Sequence, residues 1–276
     1  MKRWLLIPIT ALLVHSIVRG EIFSREVTFL PRIPQLPKSD EPAFSAGELT
    51  IQGISKDIGE PEVINQVISL HSVPRSQAAT ALLGEANRQL NVMRISTYSH
   101  KTQVDEAIGQ FRYDCSGFLK YALDNSVPEA LRSLQKATVR RPLAKHFVRF
   151  ITSIPPGEVV GRWKHIERVT DLAPGDIIAW IKPTAVDSDN TGHVMIVRDT
   201  IRQHPDRLNE IIIPVIDSSA SSHGRNDSRY SSESSGLGTG SIVLVVDGAN
   251  KAIGYRWSNS KKSRSHTTKV ALARLE

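Results

Sequence analysis

The chain reads Tyr113-Asp114-Cys115-Ser116-Gly117-Phe118-Leu119-Lys120-Tyr121-Ala122-Leu123 around its only cysteine. Asp114 is a good helix N-cap, because its carboxylate can accept a hydrogen bond from a free amide of the first turn. The apolar residues that follow recur with helical spacing and predict one buried face: Phe118, Leu119, Ala122 and Leu123. The stretch therefore predicts an amphipathic helix with Cys115 in its first turn.

The position of Cys115 favours a reactive thiol. Unpaired amides and the positive end of the helix dipole both stabilise a thiolate. Helix starts can bring the pKa of a cysteine from about 8.5 into the range of roughly 3.5–7.5. The alternative is a small, inert, buried side chain, which is the commoner role of a free cysteine. We predict a nucleophilic thiolate at Cys115.

The N-terminus has the pattern of a signal peptide over residues 1–20. Met1-Lys2-Arg3 is followed by the apolar run 4–14, which is shorter than a spanning helix needs. We expect cleavage after Gly20, a secreted or periplasmic protein and no stable membrane insertion after cleavage; an uncleaved anchor is the alternative. A lone cysteine in an oxidising compartment has no partner within its own chain, which adds weight to a reactive thiol.

Composition divides the rest of the chain. Residues 21–70 are proline-rich and predict a linker or an N-terminal arm, and 71–260 form the predicted catalytic domain. Residues 261–276 form a basic tail that is expected to be solvated, with an electrostatic anchor as the alternative. The net charge is +7, which suggests an anionic partner such as a wall polymer. No RNA-binding signature is present, so nucleic acid is not expected. We expect a monomer.

Periodicity predicts helices first and strands afterwards. Besides the Cys115 helix, helical patterns cover 74–93, 128–134 and 142–154, and 96–110 is expected to be a loop. Apolar runs predict strands at 177–181, 192–197, 211–217, 241–247 and 252–257, the last two as an antiparallel hairpin. This order predicts an α+β domain with an antiparallel sheet of about five strands.

A catalytic thiol needs a general base, and the base needs a group that orients it. Among nine histidines, His193 is the best placed, because it begins an apolar strand directly after Thr191 and Gly192. Asp217 ends the next strand and is the candidate for the third group. Its alternative role is to cap the turn into Ser218 and Ser219.

Three motifs together resemble the NlpC-type cell-wall cysteine peptidases, a family with a papain-like α+β fold. They are Asp114–Phe118, Ala173–Ile178 and Gly192–Val197, in the order that the family shows. The resemblance implies that Cys115 is the nucleophile and His193 its base. The family's third polar residue is often a histidine, whereas Asp217 stands in the corresponding place here, which is a departure from the family's pattern. Tyr98 is the match to an upstream tyrosine near the oxyanion site, although the spacing is longer.

The resemblance further implies hydrolysis of amide bonds in peptidoglycan stem peptides, without a metal or a cofactor. Asp114 and Ser116 flank the nucleophile and are expected at the oxyanion and substrate site. The long polar segment after Asp217 fits the family less well: it is either a flexible surface loop or a substrate-binding loop in which Arg225 or Arg229 binds a stem-peptide carboxylate. His223, in the same segment, is also expected at the substrate site. The alternatives are an amidase, a deamidase or an acyltransferase on the same fold, or a non-catalytic wall-binding module.

Overall fold

The computed structural model describes residues 71–232 and 234–276. The predicted signal peptide (1–20) and proline-rich segment (21–70) lie outside these residues. Within the described ranges, no helix is both long and apolar enough to cross a membrane.

The helices lie where periodicity predicts them. Helix α1 spans Gln77–Val92, α2 spans Cys115–Ser126, α3 spans Pro128–Ala137 and α4 spans Ala144–Thr152. A single 3₁₀ turn covers Val169–Asp171. Helix α3 has proline at its first position, where the missing amide proton costs no hydrogen bond.

The strands form two sheets. The smaller sheet has the order β1-β3-β2 and contains β1 (Ile95–Tyr98), β2 (Gln103–Asp105) and β3 (Gln110–Tyr113). The larger sheet contains β4 (Val159–Val160), β5 (Trp163–Ile166), β6 (Ile177–Ile181), β7 (Gly192–Val197), β8 (Arg202–Gln203), β9 (Glu210–Ser219), β10 (Gly236–Val246), β11 (Ala252–Arg256), β12 (Ser265–Thr267) and β13 (Val270–Leu275). Its order is β12-β11-β10-β9-β7-β6-β13-β5-β4, with β8 on β9 and every pair antiparallel.

The predicted papain-like, NlpC-type α+β architecture with about five strands is wrong. The five predicted strands are present, and the β10–β11 hairpin is paired as expected. They belong, however, to a sheet of ten strands, and β1 to β3 replace the predicted loop 96–110. The described domain is therefore mostly sheet, with four helices on one side. The additional strands are short or charged, so their apolar pattern is weak.

The prediction of a solvated tail at 261–276 is also wrong. Strand β13 lies inside the sheet, between β5 and β6. Ala271, Ala273 and Leu275 are buried in the core that faces the helices. Arg274 is buried because its guanidinium forms an ion pair with Asp176 at 2.6 Å. The domain thus continues to the end of the described chain.

The large sheet is curled and has a core on each face. Strand β11 contacts β13 although four strands separate them in the sheet, which requires the sheet to bend over. The outer core packs against the helices and includes Val194 and Ile196 of β7. The inner core includes Met195 and Val197, which alternate with them. His193 lies two positions before Met195, so its side chain is on the same face of the strand as the inner core.

Candidate active site

Cys115 is the first residue of α2, as the sequence predicts. The Asp114 carboxylate accepts a hydrogen bond from the Gly117 amide at 2.6 Å and one from the Ser116 hydroxyl at 2.8 Å. Asp114 is therefore the N-cap of the helix, and the Ser116 hydroxyl in the first turn supports its carboxylate. The side chain of Cys115 is buried, and the main-chain amides of Val194 and Ser116 approach its sulfur.

The thiol lies where two strands separate. Among the described residues, β7 pairs with β9 at Ile196 and Val197 but not at His193, which pairs with Trp180 of β6. Helix α2 contacts both strands. Cys115 therefore reaches the main chain at Val194, the residue after His193. Among the residues described, no hydrogen bond joins the side chains of Cys115 and His193.

The predicted thiolate is not the resting state of this structure. Burial raises the pKa of the Cys115 thiol to about 12, and the negative charge of Asp114 acts in the same direction. The amides of Val194 and Ser116 lower the pKa but do not offset these effects. The thiol is therefore neutral at pH 7. The dipole argument from sequence fails because it leaves out burial and the charge of the capping residue.

His193 and Asp217 are brought together as predicted. Nε2 of His193 lies 2.5 Å from Oδ2 of Asp217, and both side chains are buried. Because Asp217 is an acceptor, Nε2 carries the proton and Nδ1 is left with a lone pair. Nδ1 has no hydrogen-bond partner in the described ranges. Burial lowers the pKa of His193, although Asp217 opposes this effect, so the ring is neutral at pH 7.

Two further side chains besides His193 contact the carboxylate of Asp217. Nε2 of His223 lies 2.9 Å from Oδ2, and the Arg229 guanidinium donates to Oδ1 at 2.8 Å. Burial alone would raise the pKa of Asp217. The charges of His223 and Arg229, with the hydrogen bonds from both histidines, hold it well below its usual value. Asp217 is therefore ionised, which its alternative role as a turn cap does not require.

Arg229 is the centre of a buried ion-pair network. Besides Asp217, its guanidinium donates to Asp227 at 2.7 and 2.9 Å and to the Gly236 carbonyl at 2.8 Å. Burial alone would lower the pKa of Arg229, but the charges of Asp217 and Asp227 raise it above its ordinary value.

The polar segment after Asp217 does not have the predicted arrangement. His223 and Arg229 were expected to face the substrate, but both are buried beneath the site. Arg225 is exposed and remains a prediction for substrate contact. The burial depends on glycines of β10: a Cβ on Gly238 would lie 2.7 Å from Nε of Arg229, and one on Gly240 would lie 2.5 Å from Asp227.

A cleft of about 380 Å³ opens beside His193. Tyr98 lines it, as expected for a residue near the reacting groups, and its hydroxyl donates to Asn190 Oδ1 at 3.0 Å. Burial raises the pKa of Tyr98, and the proximity of Cys115 contributes. The Tyr98 hydroxyl is therefore a neutral donor. Trp180 and Trp257 also line the cleft, and Trp257 packs edge-on against His193.

His193, Asp217 and His223 offer the donor types of a transition-metal site. Their ligand atoms all lie within 4.8 Å of one another. In this geometry, both histidines direct Nε2 at the same oxygen of Asp217 rather than at a shared centre. Arg229 adds a positive charge on that carboxylate. Hydrogen bonding accounts for the cluster, and the absence of a metal stays a prediction.

The sequence reasoning missed three residues at this site. Asp227 fixes Arg229, Trp257 covers both histidines, and Asn190 holds Tyr98. Of these three residues, only Trp257 could have been found from the sequence, because it ends a predicted strand. Asp227 lies in a stretch of serines and charges that has the composition of a surface loop.

Comparisons with known proteins give a family without an assigned activity. The chain is 34% identical over 166 residues to the uncharacterized protein R653 of Acanthamoeba polyphaga mimivirus, an alignment that covers 55% of this chain and 70% of that protein. The chain belongs to the same family as this viral protein. No family model matches the sequence, and no solved structure matches it.

Proposed function

We propose that this protein is a thiol-dependent hydrolase of amide bonds, with Cys115 as the nucleophile and His193 as its general base and acid. The observation that carries the proposal is the pairing of His193 with a buried, ionised Asp217, directly beside the strand residue whose amide approaches the Cys115 sulfur. A buried carboxylate that fixes one tautomer of a cleft-lining histidine is the arrangement that acid–base catalysis requires.

The proposed reaction starts from a neutral pair. Nδ1 of His193 removes the thiol proton as the sulfur of Cys115 attacks the carbonyl carbon, so that no free thiolate accumulates. The main-chain amide of Cys115, at the helix start, donates to the developing oxyanion; one such donor is typically worth about 10²–10³ in rate. His193 then protonates the leaving amine as the carbon–nitrogen bond breaks. Water, activated by the same ring, hydrolyses the thioester and restores the thiol.

The proposed substrate is the stem peptide of peptidoglycan, and the proposed location is the periplasm or the cell exterior. This part rests on the resemblance of the three motifs to the NlpC-type cell-wall cysteine peptidases and on the signal-like segment 1–20. A net charge of +7 suits an anionic wall polymer. Deamidation uses the same groups but attacks a carboxamide and releases ammonia, whereas acyl transfer replaces water with another acceptor in the second step.

A second candidate function is a wall-binding module without catalysis. The observation that favours it is the burial of Cys115, which is 5% exposed and has no hydrogen bond to His193 among the residues described. In that case the thiol is a core side chain, and the charged network has a structural role.

Digestion of purified peptidoglycan tests both candidates. The proposal predicts new amine termini and matching mass losses with the wild-type protein, and none with Cys115→Ala, whose fold is checked by circular dichroism. Reaction in heavy-oxygen water distinguishes hydrolysis, which incorporates one oxygen, from acyl transfer, which incorporates none. Binding to peptidoglycan without any new product refutes the hydrolase and supports the wall-binding module.

A further inference from the structure

His223 has two hydrogen-bond partners, and neither can donate. Its Nδ1 lies 2.9 Å from the main-chain oxygen of Trp257, and its Nε2 lies 2.9 Å from Oδ2 of Asp217. A carbonyl oxygen only accepts, and so does an ionised carboxylate. Since the side chain is fully buried, water offers no alternative partner. Both ring nitrogens must therefore carry protons for the observed contacts to be hydrogen bonds.

The charges around His223 balance when the ring is an imidazolium. The charged and titratable groups packed against it are Asp217 from β9, His193 from β7, and Asp227 with Arg229 from the segment before β10. Trp257, after β11, and Gly240, in β10, also pack against the ring and add no charge. Asp217 and Asp227 give two negative charges, Arg229 and an imidazolium give two positive charges, and His193 is neutral. A neutral His223 would leave one excess negative charge in a buried site, which is costly.

The same geometry links His223 to the base. Oδ2 of Asp217 accepts from both histidines, at 2.5 Å from His193 and at 2.9 Å from His223. The charge of His223 is also one of the groups that lower the pKa of His193. A change in His223 is therefore transmitted to His193 both through the shared oxygen and through space.

We propose that His223 is a buried imidazolium that acts as a positioning residue: it fixes Asp217 so that His193 keeps its proton on Nε2 and presents Nδ1 to the cleft. Its effect on turnover rests on the proposed function, whereas its charge does not. His223 reaches no substrate, since its side chain is fully buried and it does not line the cleft.

Nitrogen NMR of histidine-labelled protein at neutral pH measures the charge without any substrate. The signals of His223 are assigned by their loss in His223→Gln. The expected result is that both ring nitrogens of His223 are protonated, whereas His193 shows one protonated and one unprotonated nitrogen. A neutral His223, or a stoichiometric metal that disappears in His223→Gln, overturns the proposal. This NMR measurement tests the charge of His223 even if the protein hydrolyses no substrate.

Kinetics of His223→Gln measure the positioning role. The expected result is a fall in kcat of tenfold or more with KM nearly unchanged, because the side chain does not meet the substrate. The acid limb of the pH–rate profile should move to higher pH, because removal of a nearby positive charge raises the pKa of His193. A normal kcat and an unmoved acid limb overturn the positioning role.

His204→Gln is the matched control. His204 is also buried, and its Nδ1 accepts from the Asp206 amide in the turn between β8 and β9. The control should lose stability without a shift of the acid limb. An equal shift in both variants would mean that loss of any buried histidine perturbs the domain, and it would refute the specific role of His223.

Discussion

Replacement of Asp217 by asparagine tests the buried network at its centre. Asp217 is fully buried and neutralises His223 and Arg229, so the variant leaves a buried excess of positive charge. Removing one partner of a buried ion pair typically costs about 3–5 kcal/mol. Because 1 kcal/mol corresponds to about 2–4 °C in a domain of 150–250 residues, Tm should fall by roughly 6–20 °C.

The loss of stability in Asp217→Asn should depend on pH. The folded-state pKa of Asp217 is held well below its ordinary value, so the carboxylate stabilises the fold above the unfolded-state pKa of about 3.9. This contribution is lost as the pH falls through the folded-state pKa. The Tm difference between wild type and variant should therefore be largest near pH 7 and should decrease as the pH falls below about 4.

Turnover separates a catalytic role of Asp217 from a structural one. An asparagine can present its amide to Nε2 of His193 and favour the wrong tautomer, so kcat should fall by about 10²–10⁴. Asp176→Asn is the control, because it breaks a different buried ion pair, with Arg274, outside the network of Asp217. It should cost stability while the folded fraction keeps near-normal turnover. An unchanged Tm in Asp217→Asn, or equal loss of turnover in both variants, would refute the reasoning.

Three further predictions concern separate features. Gly238→Ala should destabilise the domain, because its Cβ would lie 2.7 Å from Arg229 Nε. Gly84→Ala should instead stabilise it by about 0.5–1 kcal/mol, because Gly84 is an exposed position of helix α1 with open space around a Cβ. Thermal melts that rank the two variants alike would contradict this. Alkylation of Cys115 by iodoacetamide should be slow at neutral pH and accelerate towards the thiol pKa of about 12, and a rate that is already maximal at pH 7 would show a thiolate. The acid limb of the pH–rate profile should lie below 6.5, because the pKa of His193 is lowered and its protonated form cannot act as a base; a limb above that value would assign the base to another group.

Features set by neighbouring residues were predictable from the sequence. Helix α2 begins at Cys115 because Asp114 caps it and the apolar residues recur with helical spacing, and both signals lie within eleven residues. The strands that carry His193 and Asp217 are apolar runs, so their positions were also predictable. Their adjacency followed from the expectation that consecutive strands lie side by side, although only Ile196 and Val197 of β7 are paired with β9.

Features that depend on distant partners were not predictable. Arg274 looks like part of a solvated basic end until Asp176, 98 positions away, neutralises it inside the sheet. The segment with Asp227 and Arg229 has the composition of a surface loop, and it is buried because glycines of β10 leave room for it. The larger size of the sheet was not predictable because four of its added strands, β4, β5, β8 and β12, have only two to four residues and leave little periodic signal.

During turnover, the thiol of Cys115 should become covalently bonded to the acyl group of the substrate. The most direct measurement is the intact mass of the protein after rapid acid quenching during the digestion of peptidoglycan fragments. We predict a mass increase equal to the acyl part of the cleaved peptide, on the peptide that contains Cys115, reversed by hydroxylamine as a thioester is. Since the chain has one cysteine, a thioester can form nowhere else. Product formation without this adduct, together with full turnover in Cys115→Ala, would contradict the account.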